Sequence, residues 1–181
     1  MKTQERPAVT PVPRQLPADT TGFTGREPNI GQVTRALYAA DASALVIAAV
    51  AGAGGMGKTT LAVHVAHRIA ADYPTVSSLR TWAGPRPLPP DAVLGAFLRA
   101  FGVDVVSESL SERAALYRSA LADRRVLVVL GNASDVAQVR PLLPGAAGCA
   151  MPITSRARLT GLSGARHLRR RRCVRTRRRR C

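Results

Sequence analysis

A glycine-rich segment that ends in one lysine and two threonines is the part of the sequence best suited to chemistry. It consists of Gly52, Ala53, Gly54, Gly55, Met56, Gly57, Lys58, Thr59 and Thr60. The order fits the phosphate-binding pattern of glycine, any four residues, glycine, lysine, then serine or threonine. Glycines let successive backbone N–H groups turn toward an anion, and the Lys58 ammonium can reach the β- and γ-phosphates of a nucleotide. The Thr59 hydroxyl is the predicted ligand of Mg²⁺, and ATP or ADP is the predicted cofactor.

The residues on either side of this loop predict a strand before it and a helix after it. Residues 44–51, ALVIAAVA, form a continuous apolar run, which is typical of a parallel strand buried on both faces. After the loop, Leu61, Val65 and Ile69 recur at four-residue spacing, which predicts a helix packed on a sheet. A chance glycine-rich turn is the plain alternative. We favour nucleotide binding, because strand, loop and helix stand in the order that it requires.

The rest of the chain alternates between predicted strands and predicted helices. Further strands are expected at residues 77–83, 125–130 and 149–154, and helices begin near Asp91, Ser111 and the capping residue Ser134. This alternation predicts an α/β protein with a parallel P-loop NTPase sheet and flanking helices. Pro152 conflicts with a central place for the strand at 149–154, because proline cannot donate to a strand ladder.

Positive charge is concentrated at one end of the chain. The net charge is +16, and residues 165–181 contain ten arginines and no acidic residue. Such a run could bind DNA or RNA without sequence preference, through phosphate contacts alone. Its uniform composition favours a second explanation, an out-of-frame translation that begins between residues 150 and 165.

Composition argues against several classes of protein. No apolar segment reaches transmembrane length and the N-terminus lacks a signal-peptide core, so we expect a cytoplasmic protein with no membrane partner. Cys149, Cys173 and Cys181 show no CxxC pair, which argues against a zinc site or a disulfide framework. His64 and His67 are expected to lie on a solvated helix face. The predicted division is a proline-rich linker at 1–21, a nucleotide-binding domain at 22–160 and an arginine-rich tail at 161–181.

Three features together resemble a known family. With the phosphate loop, the Gly25-Arg26-Glu27 turn and the strand at 127–130, the chain resembles the NB-ARC domains of STAND nucleotide-binding switches. It is most like the ATPase segment of bacterial transcriptional regulators of the AfsR/SARP type. The resemblance covers about residues 14–159 and includes the motif VRPLLPG at 139–145.

The resemblance implies a regulatory switch. In such proteins ADP or ATP lies between this domain and a winged-helix domain, and nucleotide exchange converts a closed state into an assembled one. It further implies that the Gly25-Arg26 turn lies near the adenine and that Lys58 and Thr59 hold the phosphates and Mg²⁺. Arg156 is implied as the sensor of the terminal phosphate.

The chain departs from that family where catalysis would need it most. Gly131 stands where the family has an aspartate that orders Mg²⁺, and Asn132 cannot act as a base, so weak or no hydrolysis is expected. Asp135 is expected to be a capping residue. After Arg158 the pattern is lost, so we expect no fifth strand, an exposed edge at residues 44–51 and self-association. The alternative is a non-enzymatic remnant whose basic tail binds nucleic acid.

Overall fold

A computed structural model of the chain describes residues 13–21, 23, 26–38, 45–80, 82–83, 86–103 and 109–169. The helices are α1 (Glu27–Tyr38), α2 (Lys58–Ile69), α3 (Pro90–Ala100), α4 (Leu110–Leu121) and α5 (Val136–Val139). The strands are β1 (Val46–Ala51), β2 (Thr75–Arg80), β3 (Trp82–Ala83), β4 (Arg86–Pro87), β5 (Val126–Ala133), β6 (Ala150–Ser155) and β7 (Ala165–Arg169). Short 3-10 turns at Ala70–Asp72 and Arg140–Leu142 extend α2 and α5.

Five strands form one parallel sheet in the order β2-β5-β6-β1-β7, and β3 and β4 form a separate antiparallel pair. Because all five strands run the same way, their carboxyl ends meet at one edge of the sheet. The predicted α/β class, a parallel P-loop NTPase sheet with flanking helices, is therefore confirmed.

The objection to a central place for the strand that contains Pro152 is wrong. This residue is buried in β6, the middle strand, and it pairs in register with Ala48 of β1. Proline removes one donor from the ladder. The flanking pairs from Val46↔Ala150 to Ala51↔Ser155 are all kept, so β6 holds its place.

The expectation that no fifth strand follows is also wrong. β7 pairs in parallel with β1, from Ile47↔Ala165 to Ala51↔Arg169. Ala165 and Leu168 are partly buried and pack against opposite faces of the sheet, so this arginine-rich segment carries the few apolar groups that a strand here needs. The sheet thus continues past residue 160, where the predicted domain boundary lies, and β1 is not an edge. The remaining arginine-rich residues, 170–181, lie outside the described residues.

Apolar side chains fill a layer on each face of the sheet. On one face, α1 and α2 pack on alternate residues of β1 and β5 through Leu37, Leu61, Val65 and Ile69. On the other face, α3 and α4 pack through Phe97, Tyr117 and neighbouring apolar groups. Burial on both faces explains why β1 and β5 are continuous apolar runs and not alternating ones.

Part of the predicted linker packs on the domain. Residues 13–21 contain no helix and no strand longer than one bridge, and they lie along α2. The ring Nε2 of His67 is 2.7 Å from the Pro17 carbonyl oxygen, and the ring Nδ1 of His64 is 3.0 Å from an Asp19 carboxylate oxygen. These two histidines are therefore contact residues for the preceding segment, and His67 is exposed, as expected of a solvated helix face.

Among the described residues, no helix combines the length and apolar character needed to cross a membrane.

Candidate functional site: the phosphate-loop cavity

The phosphate loop connects the carboxyl end of β1 to the first residue of α2. Gly55 has φ 70° and Gly57 has φ 65°, a left-handed conformation that glycine adopts without the clash a side chain would bring. The Gly52 N–H donates to the Ser155 carbonyl oxygen at 3.3 Å, which ties the start of the loop to β6. The loop therefore lies at the edge of the sheet where parallel α/β proteins bind ligands.

A cavity of about 420 Å³ opens at this edge. Its lining comprises Gly54, Gly55, Met56, Gly57, Lys58, Thr59, Thr60, Gly131, Asn132 and Arg156. The structure thus brings together most of the residues predicted to bind nucleotide. Gly52 and Ala53 belong to the same loop but are not part of this lining.

Lys58 stands at the base of the cavity. Its side chain is buried, with 8% exposure, and its ammonium Nζ donates to the Ala53 carbonyl oxygen at 2.8 Å. The positive end of the α2 helix dipole lies at the same place, because Lys58 is the first residue of that helix. A buried ammonium and a helix N-terminus together favour an anion here.

Arg26 contacts the loop from outside the cavity. Its Nη1 donates to the Met56 carbonyl oxygen at 3.3 Å, and its guanidinium lies 5.0 Å from the centre of the Phe23 ring. A Cβ built on Gly57 would lie 2.6 Å from Arg26 Nη1. Arg26 therefore supports the loop. Gly25 lies outside the described residues, so the contact of this turn with adenine stays a prediction.

Arg156 follows β6 directly, is exposed and lines the cavity. A guanidinium at this rim could reach the far end of a phosphate chain bound along the loop. The implied role of Arg156 as a phosphate sensor stays a prediction.

The end of β5 closes the other side of the cavity. The register between β5 and β6 shifts between Leu130 and Ala133, and Asn132 there has φ 64°, which asparagine tolerates better than most residues. This bulge directs the Asn132 N–H to Thr154 Oγ1, at 2.8 Å. Gly131 lines the cavity with backbone alone, because glycine has no side chain.

Asp135 is the N-cap of α5, one residue after the cap predicted at Ser134. Its carboxylate accepts from the Gln138 N–H at 2.9 Å and from the Ser134 hydroxyl at 2.7 Å. The Ser134 hydrogen bond, followed by the bond from the Gln138 N–H, holds the pKa of Asp135 below its usual value. The expectation that Asp135 is a solvated or capping residue agrees with this geometry.

The lining fits a phosphate chain better than a protein-bound metal. Mg²⁺ is usually held by one or two carboxylates together with phosphate oxygens. Among the residues that the structure describes, no aspartate or glutamate lines the cavity, and no cluster of three or more His, Cys, Asp or Glu residues could hold a metal ion. The side-chain oxygens in this lining belong to Thr59, Thr60 and Asn132, and Thr59 is the one predicted to hold a cation.

Thr154 is the site residue that sequence reasoning missed. It is fully buried in β6, and its Oγ1 lies 3.4 Å from Thr59 Oγ1. The sequence did contain a signal, since a polar residue at the end of a central parallel strand lies at the same edge as the phosphate loop.

The parallel sheet, the left-handed glycine loop and the buried lysine define an α/β domain of the P-loop ATPase fold. The chain is 49% identical over 172 residues to the regulatory protein AfsR of Streptomyces coelicolor. This alignment covers 90% of the chain and 17% of AfsR. It is also 49% identical over 171 residues to AfsR of Streptomyces griseus, covering 88% of this chain and 18% of that protein. The chain thus spans less than a fifth of the length of the curated relatives that it matches. The predicted likeness to AfsR-type regulators is confirmed.

Solved structures support the fold. Cdc6p of Pyrobaculum aerophilum matches with a TM-score of 0.57 and 19% identity, over 91% of this chain and 47% of that one. The ORC2 protein of Aeropyrum pernix, solved as ADPNP-ADP complexes, matches with a TM-score of 0.53 and 17% identity, over 84% of this chain and 50% of that one. At these identities the likeness concerns the fold alone. No protein-family model matches the chain.

Proposed function

We propose that the chain is an ADP- or ATP-binding regulatory switch domain of the NB-ARC/STAND type, with weak or no hydrolysis. The observation that carries the proposal is the buried Lys58 ammonium at the N-terminus of α2, beneath a left-handed glycine loop. Two further facts support it. The relatives named AfsR are regulatory proteins, and the structurally similar ORC2 was solved with ADPNP and ADP.

In this proposal the chain's own residues bind and orient the phosphates. Lys58 moves its ammonium from the Ala53 carbonyl toward the β- and γ-phosphates, and the N–H groups at the start of α2 donate hydrogen bonds to the phosphate oxygens. Arg26 keeps the loop in place, and Arg156 lies where it can respond to the terminal phosphate. The Thr59 hydroxyl would hold a Mg²⁺ ion bound with the nucleotide, and that ion would supply neutralisation of the phosphate charge.

Hydrolysis is proposed to be slow because the described lining of the cavity contains no residue that could activate water. Proton removal needs a basic group within hydrogen-bond reach of the attacking water. Gly131 has no side chain, and the Asn132 amide is not basic. Slow turnover suits a switch, since the bound nucleotide then persists long enough to set a state.

The decisive test is the loss of one charge. Lys58→Ala should weaken ADP binding by roughly 10- to 150-fold, because a charge-assisted hydrogen bond is worth about 1.5–3 kcal/mol. Arg68→Ala is a matched control, since Arg68 is an exposed cation on the same helix. Calorimetry should show wild-type affinity for the control. Equal affinity of Lys58→Ala and the wild type would remove the phosphate-loop assignment.

A second experiment examines the missing carboxylate. Gly131→Asp should increase the dependence of ATP binding on Mg²⁺, because a carboxylate at the end of β5 can neutralise or order the cation. Phosphate release by the unmodified chain should be barely above background. Rapid Mg²⁺-dependent turnover by that chain would show that another acid performs this role.

The arginine-rich residues 170–181 support a second candidate function. We propose that they bind DNA or RNA weakly and without sequence preference, with an affinity that falls steeply as salt rises. Truncation after Arg169 leaves β7 intact and should abolish this binding. Sequence-selective or salt-insensitive binding would contradict an electrostatic tail.

A cytoplasmic location and nucleotide-dependent self-association complete the proposal. Sedimentation with and without ATP tests the self-association.

A further inference from the structure

A chain of three polar groups connects β5, β6 and α2 beneath the phosphate loop. The Asn132 N–H donates to Thr154 Oγ1 at 2.8 Å, and Thr154 Oγ1 lies 3.4 Å from Thr59 Oγ1. Thr154 is fully buried, whereas Thr59 is exposed on the cavity wall. These three polar groups therefore connect the sheet interior to the wall of the cavity.

The direction of the hydrogen bonds follows from counting donors. Among the described residues, the Thr154 hydroxyl has Asn132 N and Thr59 Oγ1 as its polar neighbours. A backbone N–H can only donate, so Thr154 accepts from Asn132. The proton of the buried Thr154 hydroxyl then goes to Thr59, because leaving a buried donor unpaired is costly.

This order leaves the Thr59 proton directed into the cavity. An O–H group there can donate to a phosphate oxygen, and a hydrogen bond to a charged acceptor is stronger than one to a neutral group. A carboxylate in place of Gly131 would compete for the same proton. The part of the lining that the structure describes has no carboxylate to act as such a competitor.

We propose that Thr154 is a positioning residue that turns Thr59 into a hydrogen-bond donor for the nucleotide phosphates, so that ADP binds nearly as well without Mg²⁺ as with it. This inference rests on the proposed function and adds to it the way in which this cavity holds phosphate without a metal-ordering carboxylate. Thr154 acts through Thr59 and does not itself touch the nucleotide.

The test compares three threonine variants by calorimetry with ADP, in excess EDTA and in excess Mg²⁺. Thr154→Val keeps the shape and removes the hydroxyl, and it should weaken binding in EDTA by about tenfold, the value of one hydrogen bond. Thr154→Ser keeps the hydroxyl and should retain the wild-type affinity. Thr34→Val is the matched control, because the Thr34 hydroxyl is buried in α1 without a hydrogen-bond partner. Its affinity should not change.

The ratio of the ADP affinity in EDTA to the ADP affinity in Mg²⁺ distinguishes a positioning role from a purely structural one. Thr154→Val should lower binding in EDTA more than binding in Mg²⁺, whereas a general loosening of the loop would lower both equally. Equal affinities of Thr154→Val and the wild type in EDTA, or a serine variant as weak as the valine variant, would overturn the inference. If Lys58→Ala still loses affinity in that case, the proposed function survives. If the wild type binds no ADP, both fall.

If Thr154→Val does not fold, a second measurement still tests the inference. The wild type should lose less than about tenfold in ADP affinity when Mg²⁺ is replaced by EDTA, and Gly131→Asp should lose more than the wild type. A loss of about tenfold or more by the wild type would overturn the inference.

Discussion

Replacing Gly57 by alanine tests the geometry of the phosphate loop most directly. At φ 65° an alanine is in the left-handed region, which costs about 1–2 kcal/mol. Its Cβ would also lie 2.6 Å from Arg26 Nη1, so the guanidinium must move and its bond to the Met56 carbonyl oxygen is lost. That bond is worth about 0.5–1.5 kcal/mol. The arginine end is flexible, so the contact itself adds little.

Gly57→Ala should therefore lower the free energy of unfolding by about 2 kcal/mol, or the melting temperature by roughly 4–8 °C in a chain of this size. ADP affinity should fall as well, because the loop N–H groups no longer converge. Urea unfolding followed by circular dichroism gives the first quantity, and calorimetry gives the second.

Alanine substitutions at two other glycines and one double variant separate the effect of the left-handed backbone from the effect of the Arg26 contact. Gly54→Ala should be nearly neutral, because its Cβ meets no atom within 4 Å and its φ is not left-handed. Gly31→Ala, inside α1 with the same open space, should stabilise by about 0.5–1 kcal/mol. The double variant Arg26→Ala with Gly57→Ala should lose less than the sum of the single losses. A Gly57→Ala protein as stable as the wild type would refute the left-handed loop.

Three more outcomes are expected. Tyr117→Phe should raise the free energy of unfolding by about 1 kcal/mol in urea, because the Tyr117 hydroxyl is buried without a partner. Asp135→Ala should cost about 1 kcal/mol at neutral pH through loss of the α5 cap. Because the folded pKa of Asp135 is lowered, its stabilising effect is present at a pH above the unfolded pKa and is lost as the pH falls through the folded pKa, so the two unfolding curves should converge in acid. Truncation after Gly164 removes β7 and should cause self-association on sedimentation, since β1 then becomes an apolar edge. A monomeric truncated chain would contradict the last expectation.

The features that the sequence predicted well are local ones. The phosphate loop is a contiguous motif, and β1 and β5 are apolar runs whose burial on both faces leaves a direct mark on composition. In α2, the spacing of Leu61, Val65 and Ile69 was enough to identify the buried face. Each of these signals arises within a dozen neighbouring residues, where periodicity and residue type are informative.

The features that the sequence did not predict depend on distant partners. β7 is rich in arginine. It forms a strand because it pairs with β1 and because its Leu168 packs against the core. The role of Thr154 depends on its distance from Thr59, 95 residues away in the chain. Leu116 shows that an apolar residue type alone does not determine burial. It lies in α4 and is 39% exposed, because Ala114, Tyr117 and Leu121 supply the buried face.

The position of β1 in the sheet has a consequence for how the protein is made. Both neighbours of β1 come from the far end of the chain, roughly 100 residues later, so almost all of the domain must be synthesised before this strand can pair. During translation the apolar residues 46–50 and the loop after them emerge without their partners, which is the situation in which nascent chains need protection from aggregation. The phosphate loop is then one of the last parts to take shape. A nucleotide that binds only to the finished domain would shift the equilibrium from late folding intermediates to the folded state by mass action.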